Sequence, residues 1–302
     1  MPEPCVSVLM PCRNAWPYLK AAVQSVLSQP ECLELLVADA GSSDGGIDFL
    51  ESLVAQDKRI KIVSQSDSGP ADALNRAFKE ARGTLIGWLN ADDLYPPGAL
   101  SRAVAAFNTY PEWLMVFGEG EEFNSDSGDA RPYPTLPATV GLDGFRSHCF
   151  ICQPSVVFRR SMVILLGPFD NRWRTAFDFD YWLRAFALFP DRIGYLPFLQ
   201  GRTRIHSYTI TSQQRALVAM EATELLARHF GAADWVRLNG YALELLGGIA
   251  KPPANQDVQS HLSELFTEAA PWLAPDALAA LQREWLTSAK PWPEKNQTQG
   301  SP

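Results

Sequence analysis

The sequence predicts an α/β fold: a mostly parallel sheet with helices on both faces, followed by a C-terminal helical appendage. Three observations predict it. Short apolar runs alternate with amphipathic stretches from Cys5 to Phe117, as strand–helix units of a parallel sheet do. Clusters of Asp, Asn, Gly and Ser follow the apolar runs, where open sheets bind ligands beyond the carboxyl ends of their strands. Beyond Thr209 the spacing is helical only.

The elements follow in order. Cys5 to Met10 reads as the first strand, and Pro17 to Ser28 as a helix with Leu19, Ala22, Val23, Val26 and Leu27 on one face. Leu33–Ala38 and Ile60–Val63 read as strands, separated by a helix over Ile47–Ala55. A helix over Pro70–Ala81, a strand over Thr84–Leu89, a helix over Pro97–Phe107 and a strand over Trp113–Phe117 complete the alternation. Asn124–Gly141, rich in Pro, Gly and Asp, reads as a loop, and a mixed region runs to Ile205. Helices are expected over Gln213–Phe230, Trp235–Ile249, Val258–Ala269 and Pro275–Thr287.

Of the 302 residues, 46% are hydrophobic and 20% charged, enough to bury a substantial core. A formal net charge of −8 argues against a nucleic-acid partner, which calls for a basic footprint. The five cysteines include one Cys149-Phe-Ile-Cys152 pair, which supplies two zinc ligands of the four a structural site needs. An odd count fits a reducing compartment better than a disulfide framework. Met1-Pro2-Glu3-Pro4 lacks the basic start of a signal peptide, and no apolar run is long enough to span a bilayer, so the expected location is cytoplasmic.

The chemistry concentrates in Leu89-Asn90-Ala91-Asp92-Asp93, directly after an apolar strand. Desolvating an unpaired carboxylate is costly, so two at the edge of a core call for a partner. A hard divalent cation, Mn2+ or Mg2+, is the simplest one, because it takes one or two carboxylates plus phosphate oxygens. The alternative is a cap for the helix starting near Pro97. At the first strand end, Pro11-Cys12-Arg13-Asn14 leads into a helix and presents N–H groups and Arg13 to an anion, or is a plain helix entry. Asp39 sits at the second strand end, before Gly41-Ser42-Ser43-Asp44-Gly45, as an acceptor for a base or ribose, with Asp44 as a cap. Asp67 ends the third strand, and Asp72 and Asn75, one helical turn apart, share a face.

Taken together, these segments resemble the family 2 inverting glycosyltransferases of the GT-A fold. Val6-Ser7-Val8-Leu9-Met10-Pro11-Cys12-Arg13-Asn14 resembles the opening strand of that family, and Val37 to Gly45 its nucleotide-holding loop. Ser66 to Asn75 is similar to its third motif. Asn90-Ala91-Asp92-Asp93 resembles its metal-binding Asp-x-Asp with Asn in the first acidic place. Gln153 to Arg160 is similar to a strand preceding the catalytic acid, and Thr175 to Arg184 to the segment in which an acid opens a helix and an Arg follows. The resemblance covers about residues 4 to 210.

It implies Asp178 as the base, Asp92 as the leading metal ligand with Asp93 as alternate and His206 as a third, and Arg184 and Arg204 toward phosphate or acceptor. Pro11, Arg13, Asn14, Asp39, Asp67, Asp72, Asn75, Asn90 and Ala91 would line the nucleotide. It implies a GT-A domain over 1–208, divided into a nucleotide-sugar half (1–118) and an acceptor half (119–208). A helical region over 209–288 and a disordered tail over 289–302 would follow. The implied partners are a nucleotide-sugar donor, UDP-linked by default, and a saccharide or lipid-linked saccharide acceptor, as in cell-surface polysaccharide or glycolipid synthesis. Peripheral association with the inner face of the cytoplasmic membrane stays open, as does a homodimer through the C-terminal helices. Two other readings stand beside this one. A nucleotidyltransferase normally carries a Gly-rich basic loop early in the chain, and Pro11 to Trp16 has no glycine. A non-catalytic nucleotide-sugar-binding subunit would not need Asp92, Asp178 and Arg184 together.

Overall fold

The apolar run at the start of the chain makes a strand at the middle of the sheet. In the computed structural model, which describes residues 5–63 and 68–286, β1 (Val6–Cys12) is buried throughout except at Pro11. A strand covered on both faces needs apolar residues in succession, not alternation. α1 (Leu19–Leu27) turns Leu19, Ala22, Val23 and Val26 inward. β2 (Cys32–Asp39), α2 (Gly46–Val54) and β3 (Ile60–Ile62) extend the sheet in parallel on one side of β1. α3 (Pro70–Glu80) starts on a proline, whose missing N–H would be unpaired in a first turn anyway. It returns the chain to β4 (Leu85–Trp88), parallel to β1 on the other side.

α4 (Ala99–Thr109) is followed by β5 (Met115–Phe123), β6 (Ala130–Pro132), β7 (Val157–Arg159), α5 (Arg160–Leu166), α6 (Phe177–Leu188) and β8 (Ile193–Arg204). The strand order is β3-β2-β1-β4-β7-β5-β6, with β8 along β5. β7 is antiparallel to both β4 and β5, so the alternation of the first half does not simply add β5 beside β4. The segment Gln153–Arg160 is not one strand. Gln153–Ser155 is a 3₁₀ turn, Val157–Arg159 is β7, and Arg160 opens α5. Pro154 has no N–H for a ladder, and the Gln153 side chain donates instead to the Trp88 carbonyl at 2.9 Å. Asn124–Gly141 is not all loop either: β6 pairs with Glu121–Phe123, and Asn124 Oδ1 shapes the turn by accepting from the N–H groups of Asp126 and Ser127.

The core differs in kind across the sheet. Aliphatic residues from β1, β2, α1, α2 and α4 fill one cluster, including Val8, Val23, Leu35, Leu50 and Leu100. Elsewhere in the same unit aromatic rings pack edge and face. Trp88 stacks on Phe177 at 5.3 Å between centroids and meets Phe169 at 5.1 Å, and Phe145 stacks on Phe150 at 4.2 Å. This fixes α6 against the end of β4.

Glu34, fully buried in β2, is an exception among these apolar strands. Its carboxylate accepts from Ser7 Oγ at 2.8 Å, Lys61 Nζ at 2.8 Å, and Arg82 N and Nε at 2.7 and 3.0 Å. Burial pushes its pKa up, but the bonds from Lys61, Arg82 and Ser7 outweigh that and hold it at about 2. Because the folded pKa lies below the unfolded one, this group's contribution is complete above about pH 4.5 and falls away as pH drops toward 2. Glu34→Ala is therefore expected to cost about 3 kcal/mol at neutral pH, by taking the acceptor away from the buried Ser7 hydroxyl and the Arg82 N–H and removing both ion pairs. In urea melts the deficit should shrink between pH 4.5 and 2; a deficit unchanged over that interval would count against the ion network.

The chain divides into two units, Met1–Phe145 with Cys149–Thr209, and Arg146–His148 with Ile210–Pro302. The second unit contains α7 (Ile210–Gln213), α8 (Arg215–Phe230), α9 (Val236–Leu246), α10 (Val258–Ala269) and α11 (Pro275–Leu281). α11 runs into a π turn at Gln282–Leu286. Leu225, Leu238, Leu245, Leu262, Phe266, Leu281 and Trp285 are buried within this unit. Asp257 caps α10 by accepting the Ser260 N–H at 2.9 Å. Thr287 and the tail 289–302 lie outside the described residues. Among the described residues, no helix is long and apolar enough to cross a membrane.

Candidate active site

β4 ends on Trp88, and the four residues Asn90–Asp93 turn back over its tip. Asn90 does not face outward. Its Oδ1 accepts from the Trp88 indole at 3.0 Å, and its Nδ2 donates to Gln153 Oε1 at 3.0 Å and Asp93 Oδ2 at 3.2 Å. The residue in the first acidic place thus holds the turn together. Ala91 is buried. Asp93 is also buried, and its Oδ1 accepts the Arg204 N–H at 2.8 Å. Burial and the neighbouring charge of Asp92 push the Asp93 carboxyl well above the usual carboxylate range, against hydrogen bonds from Arg204, Thr203 and Asn90. Asp92 is the open member of the pair, with a side chain 24% exposed. Its Oδ2 lies 3.0 Å from His206 Nε2, and among the described residues its Oδ1 has no hydrogen-bond partner.

His206 and Arg204 arrive from the end of β8, which Arg202 ties to Leu94 as a β-bridge. Arg204 Nε donates to the Asp92 carbonyl at 2.7 Å. Its guanidinium packs against two rings, 4.7 Å from the centroid of Tyr18 and 4.4 Å from that of Phe123. The imidazole of His206 packs on the same Tyr18 ring, 4.6 Å between centroids, and its Nδ1 faces the Tyr208 N–H at 3.3 Å.

The loops after β1 and β2 brace one another. Asn14 holds φ at 51°, donates its N–H to Ser42 Oγ at 2.8 Å, and accepts from the Ser43 N–H through Oδ1 at 2.9 Å. Pro11 is half-buried and Arg13 exposed beside it. Asp39 is 1% exposed. Its Oδ2 accepts from the N–H groups of Gly41 and Ser42, and its Oδ1 from Ser42 Oγ. Asp39 shapes its own loop here, and Asp44 joins the two loops by accepting from Trp16 N and Gly46 N.

Asp67 lies outside the described residues. Asp72 and Asn75 bond to different parts of the chain. Asp72 accepts the Ser68 N–H, while the Asn75 amide pairs both ways with the backbone of Phe169, at 2.8 and 2.9 Å. That bond pair anchors the segment leading into α6. Asp178 stands in the first turn of α6, half-buried, next to the Phe177 that stacks on Trp88. Arg184 is turned away from an open role. It pairs with Asp180 at 2.8 Å and donates to the carbonyls of Leu166 and Pro168, bracing α6 against the end of α5.

The family model for "Glycosyl transferase family 2" matches residues 7–164, which span the strands from β1 to β7 and the Asn90–Asp93 turn. The chain belongs to glycosyl transferase family 2. A Mycobacterium bovis PGL/p-HBAD biosynthesis glycosyltransferase is 31% identical over 193 residues, covering 62% of this chain and 72% of that one. An uncharacterized glycosyltransferase of Rickettsia conorii is 27% identical over 214 residues, and this glycosyltransferase spans 67% of its own length but 34% of the relative's. Among solved structures, S. aureus TarS has the same GT-A fold, with a TM-score of 0.61 at 19% identity, over 92% of this chain and 50% of TarS. The mannosyltransferase PcManGT of Pyrobaculum calidifontis, in complex with GDP-Man and Mn2+, gives a TM-score of 0.56 at 17% identity, over 93% and 79% of the two chains.

In this family 2 glycosyltransferase, the donor set at the β4 tip fits a divalent cation. Asp92 Oδ2 and His206 Nε2 are 3.0 Å apart. Among the described residues no group of three or more such ligands gathers, so the protein would supply two and leave the other positions to phosphate oxygens and water. Residue types alone did not single out Tyr18 or Gln153. Tyr18 reads as an ordinary helix-entry aromatic, and Gln153 meets Trp88 and Asn90 from more than sixty positions away.

Proposed function

We propose that this protein moves a sugar from a nucleoside-diphosphate donor, UDP-linked by preference, to an acceptor hydroxyl with inversion at the anomeric carbon. One observation carries the reading. The Asp92–His206 pair stands at the tip of β4, and the helix bearing Asp178 packs on Trp88 of the same strand. Asp178 takes the proton from the acceptor hydroxyl as that oxygen forms its bond to the anomeric carbon. The bond from that carbon to the diphosphate breaks, and its electron pair leaves with the phosphate oxygen. Arg204, held edge-on to the Asp92 carbonyl, adds positive charge where negative charge builds. Asp92 and His206 would hold Mn2+ or Mg2+, which when bound supplies Lewis-acid neutralisation of the diphosphate. The loops after β1 and β2 are cross-braced by Asn14 and Asp44, which gives exposed Arg13 a rigid base from which to meet the nucleotide.

The relatives support the donor class. A TarS structure holds UDP-GlcNAc, PcManGT holds GDP-Man with Mn2+, and the mycobacterial relative is named for PGL/p-HBAD biosynthesis. A saccharide or lipid-linked saccharide acceptor, in polysaccharide or glycolipid synthesis, follows from the same reading. The test is a melting screen of the full chain against nucleotides and nucleotide sugars with Mn2+. At a hundredfold excess over Kd the true donor adds about 2.7 kcal/mol, which raises Tm by about 5 °C or more. No shift with any nucleotide would sink the reading.

A further inference from the structure

We infer that Tyr18 is a positioning residue whose ring face aligns His206 and Arg204 against Asp92 for cation and diphosphate binding. The inference rests on the donor-binding reading above, and concerns a residue in neither the acidic turn nor the strand end that carries His206.

Two side chains converge on one ring. The His206 imidazole packs on Tyr18 at 4.6 Å with an interplanar angle of 36°. The Arg204 guanidinium lies 4.7 Å from the same ring centroid. The Phe123 ring centroid lies 4.4 Å from the same guanidinium. Arg204 is thus fixed by two rings and, through Nε, by the Asp92 carbonyl, and the residue is 7% exposed. His206 is fixed by Asp92 at Nε2 and by Tyr18 on its ring. Among the described residues no hydrogen bond of the Tyr18 hydroxyl is found, so the contact is made by the ring.

Removing that ring frees both side chains to leave their present rotamers. Each aromatic contact of this kind is modest, but two side chains lose their support together. The ordering they lose must then be supplied when ligand binds, which weakens binding without removing a ligand atom. Tyr18 also opens onto α1 directly after the Asn14 loop, so the same ring links the first-strand loop to the β8 end.

The experiment titrates Mn2+ in the presence of UDP, with GDP as a second nucleotide, and reads free Mn2+ by electron paramagnetic resonance. It uses the full-length protein and the variants Tyr18→Ala, Tyr18→Leu and Tyr18→Phe, with circular dichroism to report folding. Tyr18→Leu keeps apolar volume and so keeps the test alive if Tyr18→Ala fails to fold. The expected result is about tenfold weaker Mn2+–nucleotide binding in the folded Ala or Leu variant, restored by Phe. In donor-hydrolysis assays the same variants should raise KM for donor and the Mn2+ concentration for half-maximal rate more than they lower kcat. Wild-type affinity in folded Tyr18→Leu overturns the role of Tyr18 while leaving the donor reading intact. Loss of affinity in Tyr18→Phe also overturns it, by placing the effect on the hydroxyl. A wild-type protein that binds no Mn2+ with either nucleotide overturns the donor reading itself.

Discussion

Asp178→Asn is expected to lower the rate of sugar transfer about a thousandfold and to leave nucleotide affinity within about twofold. A positioned general base contributes about 10²–10⁴ in rate, and an amide cannot take up the proton. The change is close to isosteric. Asp178 Oδ1 accepts the Phe179 N–H at 2.7 Å, and an Asn oxygen can do the same, so the first turn of α6 stays in place. The next acid along the helix separates chemistry from scaffolding. Asp180 is 6% exposed and pairs with Arg184, so Asp180→Asn should lower Tm and leave kcat near wild type in the folded fraction. Initial rates at saturating donor, paired with calorimetric titration of UDP, give both numbers. Unchanged turnover in Asp178→Asn would remove this residue from the base role.

The sheet was legible because its signal is local. Runs such as Val6–Met10 and Leu33–Ala38 are apolar except at Ser7 and Glu34, which bond one another, and strands buried on both faces call for such runs. Direction was not legible. Val157–Arg159 has the same composition whether it runs parallel or antiparallel, and its place between β4 and β5 depends on pairings some forty and seventy residues back. The candidate site shows the same division. Two adjacent carboxylates at a strand end announce themselves, but nothing local tells Asp92 from Asp93. The difference lies in which one meets the Arg204 backbone from 111 positions away. Asn75 reads as a cleft residue because it lies one helical turn from Asp72, and Asn90 as a ligand contact through the family resemblance. In the folded chain their amides meet Phe169 and Gln153, partners that no spacing rule reveals. Asp39 lost its open character for a nearer reason: Gly41 and Ser42 fold their N–H groups back onto it.

The two neighbouring acids at the β4 tip should respond to substitution in opposite ways. Asp92→Ala removes the carboxylate that faces His206, while the backbone carbonyl of residue 92 still receives Arg204 Nε. The turn therefore keeps its shape and loses its charge. Neutralising a departing diphosphate is worth several kcal/mol, so a loss of about 4 kcal/mol, roughly a thousandfold in rate, is expected. Mn2+ dependence should largely vanish with it, because His206 alone is a poor anchor for a hard cation. Asp93→Ala would instead strand the Arg204 N–H and the Asn90 amide in a buried setting, at a cost of about 1–3 kcal/mol for each unsatisfied group. That variant should melt early and recover activity in proportion to its folded fraction, with its Mn2+ requirement intact. Rate against Mn2+ concentration, measured beside thermal melts, separates the two outcomes. If Asp93→Ala abolished Mn2+ dependence in a fully folded protein while Asp92→Ala did not, the cation would belong to the buried carboxylate, and the 3.0 Å pair with His206 would be an ordinary hydrogen bond.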